Sequence, residues 1–137
     1  MQLVVDVGNT ETVVGLASSP TDIVNHWRVS SSVPRTEDEM TALIRAFLAG
    51  DGVDESLITQ GVVGSVVPSL NHVWMKTLGK IVSGDVLAVG PGSDLPIRLD
   101  VEEPMSVGAD RVVNTLAAME LYHRDTIAVD LGTATTF

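Results

Sequence analysis

The sequence predicts an α/β fold, a mixed sheet flanked by helices and opened by an antiparallel three-stranded meander. Three observations carry this expectation. The first thirty residues hold three apolar, β-branched runs separated by short turn-forming segments. Beyond them, stretches with helical apolar spacing alternate with apolar runs of strand length. The chain has 137 residues, 45% apolar and 19% charged, with 12 Gly and 6 Pro, the composition of one ordinary globular domain. At this length roughly two-thirds of the unfolded surface can be buried, so a core needs no disulfide or metal staples.

The expected strands of the meander are Leu3 to Val7, Thr12 to Ala17 and Ile23 to Val29, divided by Gly8-Asn9-Thr10 and by Ser18-Ser19-Pro20-Thr21-Asp22. Thr36-Glu37-Asp38-Glu39 then supplies an acidic first turn. It leads into Met40, Leu43, Ile44, Phe47 and Leu48 at helical spacing, and Gly50-Asp51-Gly52 ends the helix. Ile58 to Val67 reads as a strand. Pro68 opens a second helix through Leu70, Val73, Trp74 and Leu78, expected to stop near Gly84. Val86 to Val89 is a short strand, Gly90 to Pro104 a Gly- and Pro-punctuated loop, and Val107 to Tyr122 a third helix with Ser106 as its N-cap. Thr126 to Asp130 is expected to be a buried strand. Residues 131–137 read as the start of a further turn and strand, cut within an element.

Composition narrows the function. Without cysteine the chain has no disulfide, thiolate metal site or cysteine nucleophile, which favours a reducing compartment. Eighteen acidic against eight basic residues give a net charge of −10, which repels nucleic-acid phosphates and anionic lipid heads. Neither nucleic acid nor a membrane is expected as a partner. The start, Met1 to Asp6, lacks the basic n-region of a secretory signal, and no apolar run approaches the ~18 residues of a spanning helix. A soluble cytoplasmic protein is expected. His26, His72 and His123 lie far apart and read as surface or boundary residues.

Four segments are candidates for chemistry. In Asp6-Val7-Gly8-Asn9-Thr10 an apolar strand ends in a carboxylate and enters a tight turn. A glycine there permits positive φ and close approach of backbone N–H groups to an anion, Thr10 adds a hydroxyl, and Asp6 can hold a hydrated cation. A plain hairpin turn explains the same residues. Asp130-Leu131-Gly132-Thr133-Ala134 repeats the pattern about 120 residues later, so two such turns can face one phosphate from opposite sides. Gly108-Ala109-Asp110-Arg111 opens a helix, where Asp110 suits the macrodipole and Arg111 opposes it. That misplaced cation either meets an anionic ligand or is simply solvated. Gly64-Ser65-Val66-Val67-Pro68 is a strand-to-helix junction. Neither a P-loop nor a dinucleotide fingerprint is present; Gly90-Pro91-Gly92 lacks the third glycine and the helix.

Asp6-Val7-Gly8-Asn9-Thr10, Ser65-Val66-Val67-Pro68, Leu95-Pro96-Ile97, Val107 to Asn114 with Ala117-Ala118, and Asp130 to Thr136 together resemble, in order and spacing, the N-terminal half of type III pantothenate kinases. The resemblance implies a ribonuclease H-like domain of the actin-like and sugar-kinase-like ATPase superfamily over residues 1–130, with residues 131–137 beginning a second similar domain. It implies ATP-dependent phosphorylation of pantothenate to 4′-phosphopantothenate, the first step of coenzyme A synthesis. The implied cofactors are Mg²⁺ and a monovalent cation, K⁺ or NH₄⁺, and the implied assembly is a cytoplasmic homodimer. By matching motif, Asp6, Val7, Gly8, Asn9, Thr10, Glu11, Thr12 and Val13 would form the first phosphate-binding hairpin, with Asp6 near Mg²⁺ through water. Gly108, Ala109, Asp110 and Arg111 would hold pantothenate, Asp110 as base and Arg111 as polar anchor. Asp130 would bind the monovalent cation and Thr133 an ATP phosphate. The chain departs from the family where Ser93-Asp94 replaces Thr-Gly ahead of Leu95 and where Leu99 replaces a substrate-contacting Tyr. The rival reading is a non-catalytic nucleotide-binding regulator, a transcriptional accessory factor; a base beside the hydroxyl site favours the enzyme.

Overall fold

The computed structural model describes residues 1–131 and 135–136. Strands β1 (Gln2–Val7), β2 (Glu11–Ser19) and β3 (Asp22–Ser30) form the meander, followed by α1 (Glu37–Gly50), β4 (Gln60–Ser65), α2 (Pro68–Gly79), β5 (Val86–Val89) and α3 (Ala109–Tyr122). The five strands make one sheet in the order β3-β2-β1-β4-β5. The β1–β2 and β2–β3 pairs are antiparallel, whereas β1–β4 and β4–β5 are parallel. The expected mixed α/β architecture is therefore present.

Side-chain alternation along a strand sets the layers. Leu3, Val5 and Val7 of β1 and Val63 of β4 point into the main core, where Met40, Ile44 and Leu48 of α1 meet Trp74 and Leu78 of α2. The α2 helix sits so close to β4 that a Cβ on Gly61 would lie 3.0 Å from Leu78 Cδ1. The alternate residues, Val4 and Asp6 of β1 with Val62 and Gly64 of β4, face the other side, where α3 packs against β4. Leu3, Val4 and Val5 make β1 apolar on both faces between Gln2 and Asp6, and the Asp6 carboxylate marks where the sheet meets the site.

Local chemistry explains most boundaries. Thr36 caps α1 in a reciprocal box: its Oγ1 accepts from the Glu39 N–H at 3.3 Å, and Glu39 Oε2 accepts from the Thr36 N–H at 2.8 Å. The Thr36 N–H, and then Thr36 Oγ1 donating to the same Oε2 at 3.0 Å, hold the Glu39 carboxyl below its ordinary pKa. At the far end Asp51 is the C-cap and takes a 2.6 Å bond from Trp27 Nε1, while Trp27 stacks on Phe47 with centroids 6.1 Å apart. The β3 strand is thereby tied to α1.

Several expectations are corrected. The strand expected over Ile58 to Val67 begins at Gln60 and ends at Ser65, because Glu55–Leu57 form a 3₁₀ turn and Ser65 Oγ turns the chain by accepting from the Val67 N–H. The second helix ends at Gly79, five residues before Gly84; Ile81 and Val82 drop into the core instead, with their N–H groups on the Leu78 carbonyl. Ser106 is not the N-cap of α3, since it belongs to a 3₁₀ turn over Pro104–Ser106 and its Oγ donates to the Glu103 carbonyl; Gly108 is the N-cap. The buried strand expected over Thr126 to Asp130 is absent. Residues 125–129 have no regular structure, and Ile127 is 84% exposed. Among the described residues, Asp130–Leu131 (β6) pair with Thr135–Thr136 (β7) in a separate two-stranded sheet. A strand needs an edge to pair with, and this apolar segment instead runs past α3 along the rim of a cavity without joining β3 or β5.

Candidate functional site

The side of the sheet facing away from α1 and α2 forms, with α3 and residues 124–130, a cavity of about 1300 Å³. That exceeds the ~300–1,000 Å³ of a pocket for one small ligand. Its walls are largely apolar, with Val4, Val13 and Val62 from the sheet and Val113 and Ala117 from α3. Asp6, Asp110 and Asp130 join this lining from three separate elements.

Asp6 sits at the end of β1 through the period-two alternation that buries its neighbours Val5 and Val7. Its carboxyl titrates above the ordinary value: withdrawal from bulk water is the main cause, and the negative charges of Asp110 and then Asp130 add to it. The ionised form is therefore less favourable in the folded chain than in the unfolded one. The folded state loses stability as pH rises from the ordinary carboxylate value through the raised one, and the loss persists at neutral pH. Asp6→Asn should consequently stabilise the protein at pH 7 and give no gain near pH 3. Asp6 is withdrawn from water on one side only and remains open to solvent on the other, which screens the effect, so the gain at pH 7 is a small rise in melting midpoint. Thermal melts of the two proteins at both pH values check this, and a destabilised variant at pH 7 would refute the electrostatic account.

The hairpin beyond Asp6 is built differently from the sequence expectation. Gly8 does not use a positive φ; it is needed because its N–H reaches the Glu11 carbonyl at 3.1 Å, and a Cβ would lie 2.9 Å from that oxygen. Asn9 and Thr10 are exposed at the tip. Val7 and Thr12 are fully buried on the core side, and Thr12 Oγ1 is engaged with Ser31 Oγ at 2.8 Å. Glu11 pairs with Arg28 at 3.0 Å. Of the eight hairpin residues expected to bind phosphate, Asp6 and Val13 thus line the cavity, and the others offer the turn backbone or lie outside it.

At the other wall, Ala109 is buried, Asp110 is half-buried and both line the cavity, whereas Arg111 is exposed and lies outside the lining. Asp110 Oδ1 accepts from the Arg111 N–H at 2.8 Å, satisfying one of the free donors of the helix's first turn. Among the described residues Arg111 makes no ion pair. A Cβ on Gly108 would meet the Asp110 carboxylate. Thr133 lies outside the described residues. Among the described residues no three carboxylates or imidazoles are close enough to form a metal cage by themselves.

Sequence reasoning missed part of the lining. Val4 shares a face with Asp6 two residues away, so strand periodicity could have found it. His26 and Arg124 reach the cavity only through tertiary packing, whereas Gly64 opens the strand-to-helix junction already singled out in the sequence. The three histidines are exposed, as expected of surface positions.

The family model for "Type III pantothenate kinase" matches residues 2–137. The chain is similar to type III pantothenate kinases of Brevibacillus brevis, 38% identical over 137 residues, and Myxococcus xanthus, 39% identical over 137 residues; each match covers all of this chain and 53% of the relative. A third, from Moorella thermoacetica, is 42% identical over 139 residues, covering all of this chain and 54% of the relative. The chain spans about half the length of the curated relatives it matches. The match along nearly its whole length shows that the chain belongs to the type III pantothenate kinase family.

Proposed function

We propose that the protein carrying this chain transfers the γ-phosphoryl group of ATP to the 4′-hydroxyl of pantothenate, yielding 4′-phosphopantothenate and ADP, the first step of coenzyme A synthesis. The observation that carries this reading is the convergence of Asp6 and Asp110, from a strand end and a helix start, on one cavity roomy enough for two ligands. In this reading the substrate oxygen attacks the γ-phosphorus, a new O–P bond forms and the bond to the β,γ-bridging oxygen breaks. The hydroxyl proton passes to Asp110, and ADP leaves with the bond electrons. Arg111, exposed in the first turn of α3, anchors the acidic substrate, and the Asp6 hairpin faces the phosphates.

Carboxylate oxygens are hard donors; burial is the main reason the Asp6 pKa is raised, and the charges of Asp110 and Asp130, which add to it, make a negative field that a cation would relieve, so the residues fit Mg²⁺ and a monovalent cation. Asp6 would hold Mg²⁺ through water, and Asp130 would hold K⁺ or NH₄⁺; bound there, the cations neutralise phosphate charge. The strand order 3-2-1-4-5, with its antiparallel meander and parallel remainder, supports a ribonuclease H-like, actin-like ATPase domain over residues 1–130. Residues 131–137 then begin a second similar domain, in keeping with relatives about twice as long. A cytoplasmic homodimer completes the proposal. No described helix is long and apolar enough to cross a membrane.

A coupled assay on the full-length protein with ATP, Mg²⁺, K⁺ and pantothenate tests the reading, with turnover of about 1 per second or more expected. Replacing K⁺ by tetramethylammonium at constant ionic strength should abolish the rate. Absence of turnover under the first condition refutes the kinase, and an unchanged rate under the second removes Asp130 from its cation role.

A further inference from the structure

Gly108 occupies the N-cap of α3, a position where Ser, Thr, Asp or Asn would normally satisfy the first-turn N–H groups. The chain forgoes that cap, and no side-chain capping bond is made there. Backbone freedom does not explain the choice. Gly108 has φ −62° and ψ 149°, which any residue adopts. Space does explain it: a Cβ built on Gly108 would collide with Asp110 Oδ1 and come within 3.3 Å of Val66 Cγ1. The same Oδ1 accepts the Arg111 N–H at 2.8 Å. The carboxylate of Asp110 therefore lies over the glycine, held from one side by a backbone donor and admitted from the other by the missing side chain.

We infer that Gly108 is a positioning residue for Asp110: it sets where the carboxylate stands and does not itself need to touch substrate. This rests on the proposed reading of Asp110 as the base. A β-carbon at 108 pushes the carboxylate away from the Arg111 N–H that holds it, because Val66 Cγ1, 3.3 Å from that β-carbon, limits how far the β-carbon itself can give way. A displacement of about 1 Å at a reacting group costs on the order of 10²-fold in rate.

The test is steady-state kinetics of the full-length protein with Gly108→Ala, Gly108→Ser, Asp110→Asn and the double variant Gly108→Ala/Asp110→Asn, together with thermal melts. Gly108→Ala and Gly108→Ser should each lower kcat about 10²-fold with KM for ATP unchanged. The melting midpoint should be unchanged, or slightly raised for Ser, because serine is the better cap. Activity and stability then move apart, which a merely structural role would not produce. The double variant should have the kcat of Asp110→Asn within about threefold, since a carboxylate already removed cannot be misplaced. Gly108→Ala that retains kcat and raises KM for pantothenate would overturn the inference in favour of direct substrate contact, and additive losses in the double variant would overturn it as well. A parental rate in Asp110→Asn alone would instead overturn the base assignment, and the inference with it.

Discussion

Replacing Trp74 with alanine should lower the free energy of unfolding by about 3–5 kcal/mol. Trp74 is 1% exposed and is the largest fully buried side chain of the described residues. Leu70, Trp74 and Leu78 recur at four-residue spacing, so they form one stripe of α2, and Leu78 presses directly on Gly61 of β4. The indole stands among residues of α1, α2 and the sheet, and none can close over a void of that size without moving a neighbour. Loss of apolar transfer energy and the residual cavity therefore add. Against a total of about 5–15 kcal/mol for a domain of this kind, the change is a large fraction of all the stability there is. Urea unfolding with an unchanged m-value and a lowered midpoint is the expected result. A Trp74→Phe variant, which keeps most of the volume, should lose much less. Equal losses in the two variants would mean that the cost lies in something other than the cavity.

Local signals made most of the scaffold readable. The meander follows from three runs and two turn segments, and the start of α1 follows from the acidic first turn at Thr36-Glu37-Asp38-Glu39. What failed locally was also physical. Ser106 looks like a cap in sequence because the rule asks for a hydroxyl before an apolar period, but the tight turn at Pro104 consumes it and leaves Gly108 at the helix start. Thr126 to Asp130 has the composition of a strand, yet strand formation depends on a neighbouring edge that composition does not reveal. For the site, Asp6 and Asp110 were legible as carboxylates at a strand end and a helix start. That they share a cavity was legible only through resemblance. Thr12 falls within the hairpin that the resemblance assigns to phosphate, beyond the quoted Asp6 to Thr10 motif, and alternation along β2 turns its hydroxyl to Ser31 in the packed layer.

Asp110→Asn in the full-length protein should lower kcat by about 10²- to 10⁴-fold, the contribution of a positioned base, with little change in KM for ATP. Asparagine keeps the shape, and its amide oxygen can still accept the Arg111 N–H, so the start of α3 and the room over Gly108 are preserved. What is lost is the capacity to take the hydroxyl proton. Among the described residues only Oδ1 of Asp110 accepts a hydrogen bond, which leaves Oδ2 for that proton. Arg111→Ala, by contrast, removes an exposed cation outside the cavity lining and should act more on KM for pantothenate than on kcat. The competing assignment is Asp6, whose raised pKa brings it closer to the operating pH of a base and whose carboxyl lines the same cavity. The two carboxylates separate in the kinetics. If Asp110→Asn keeps kcat within about threefold and raises KM for pantothenate, Asp110 binds substrate and Asp6 becomes the base. In that case Asp6→Asn should take the large loss in kcat while still gaining stability at pH 7. If Asp110→Asn takes the loss, Asp6→Asn should act mainly through the metal requirement, and its rate should recover in part as Mg²⁺ is raised.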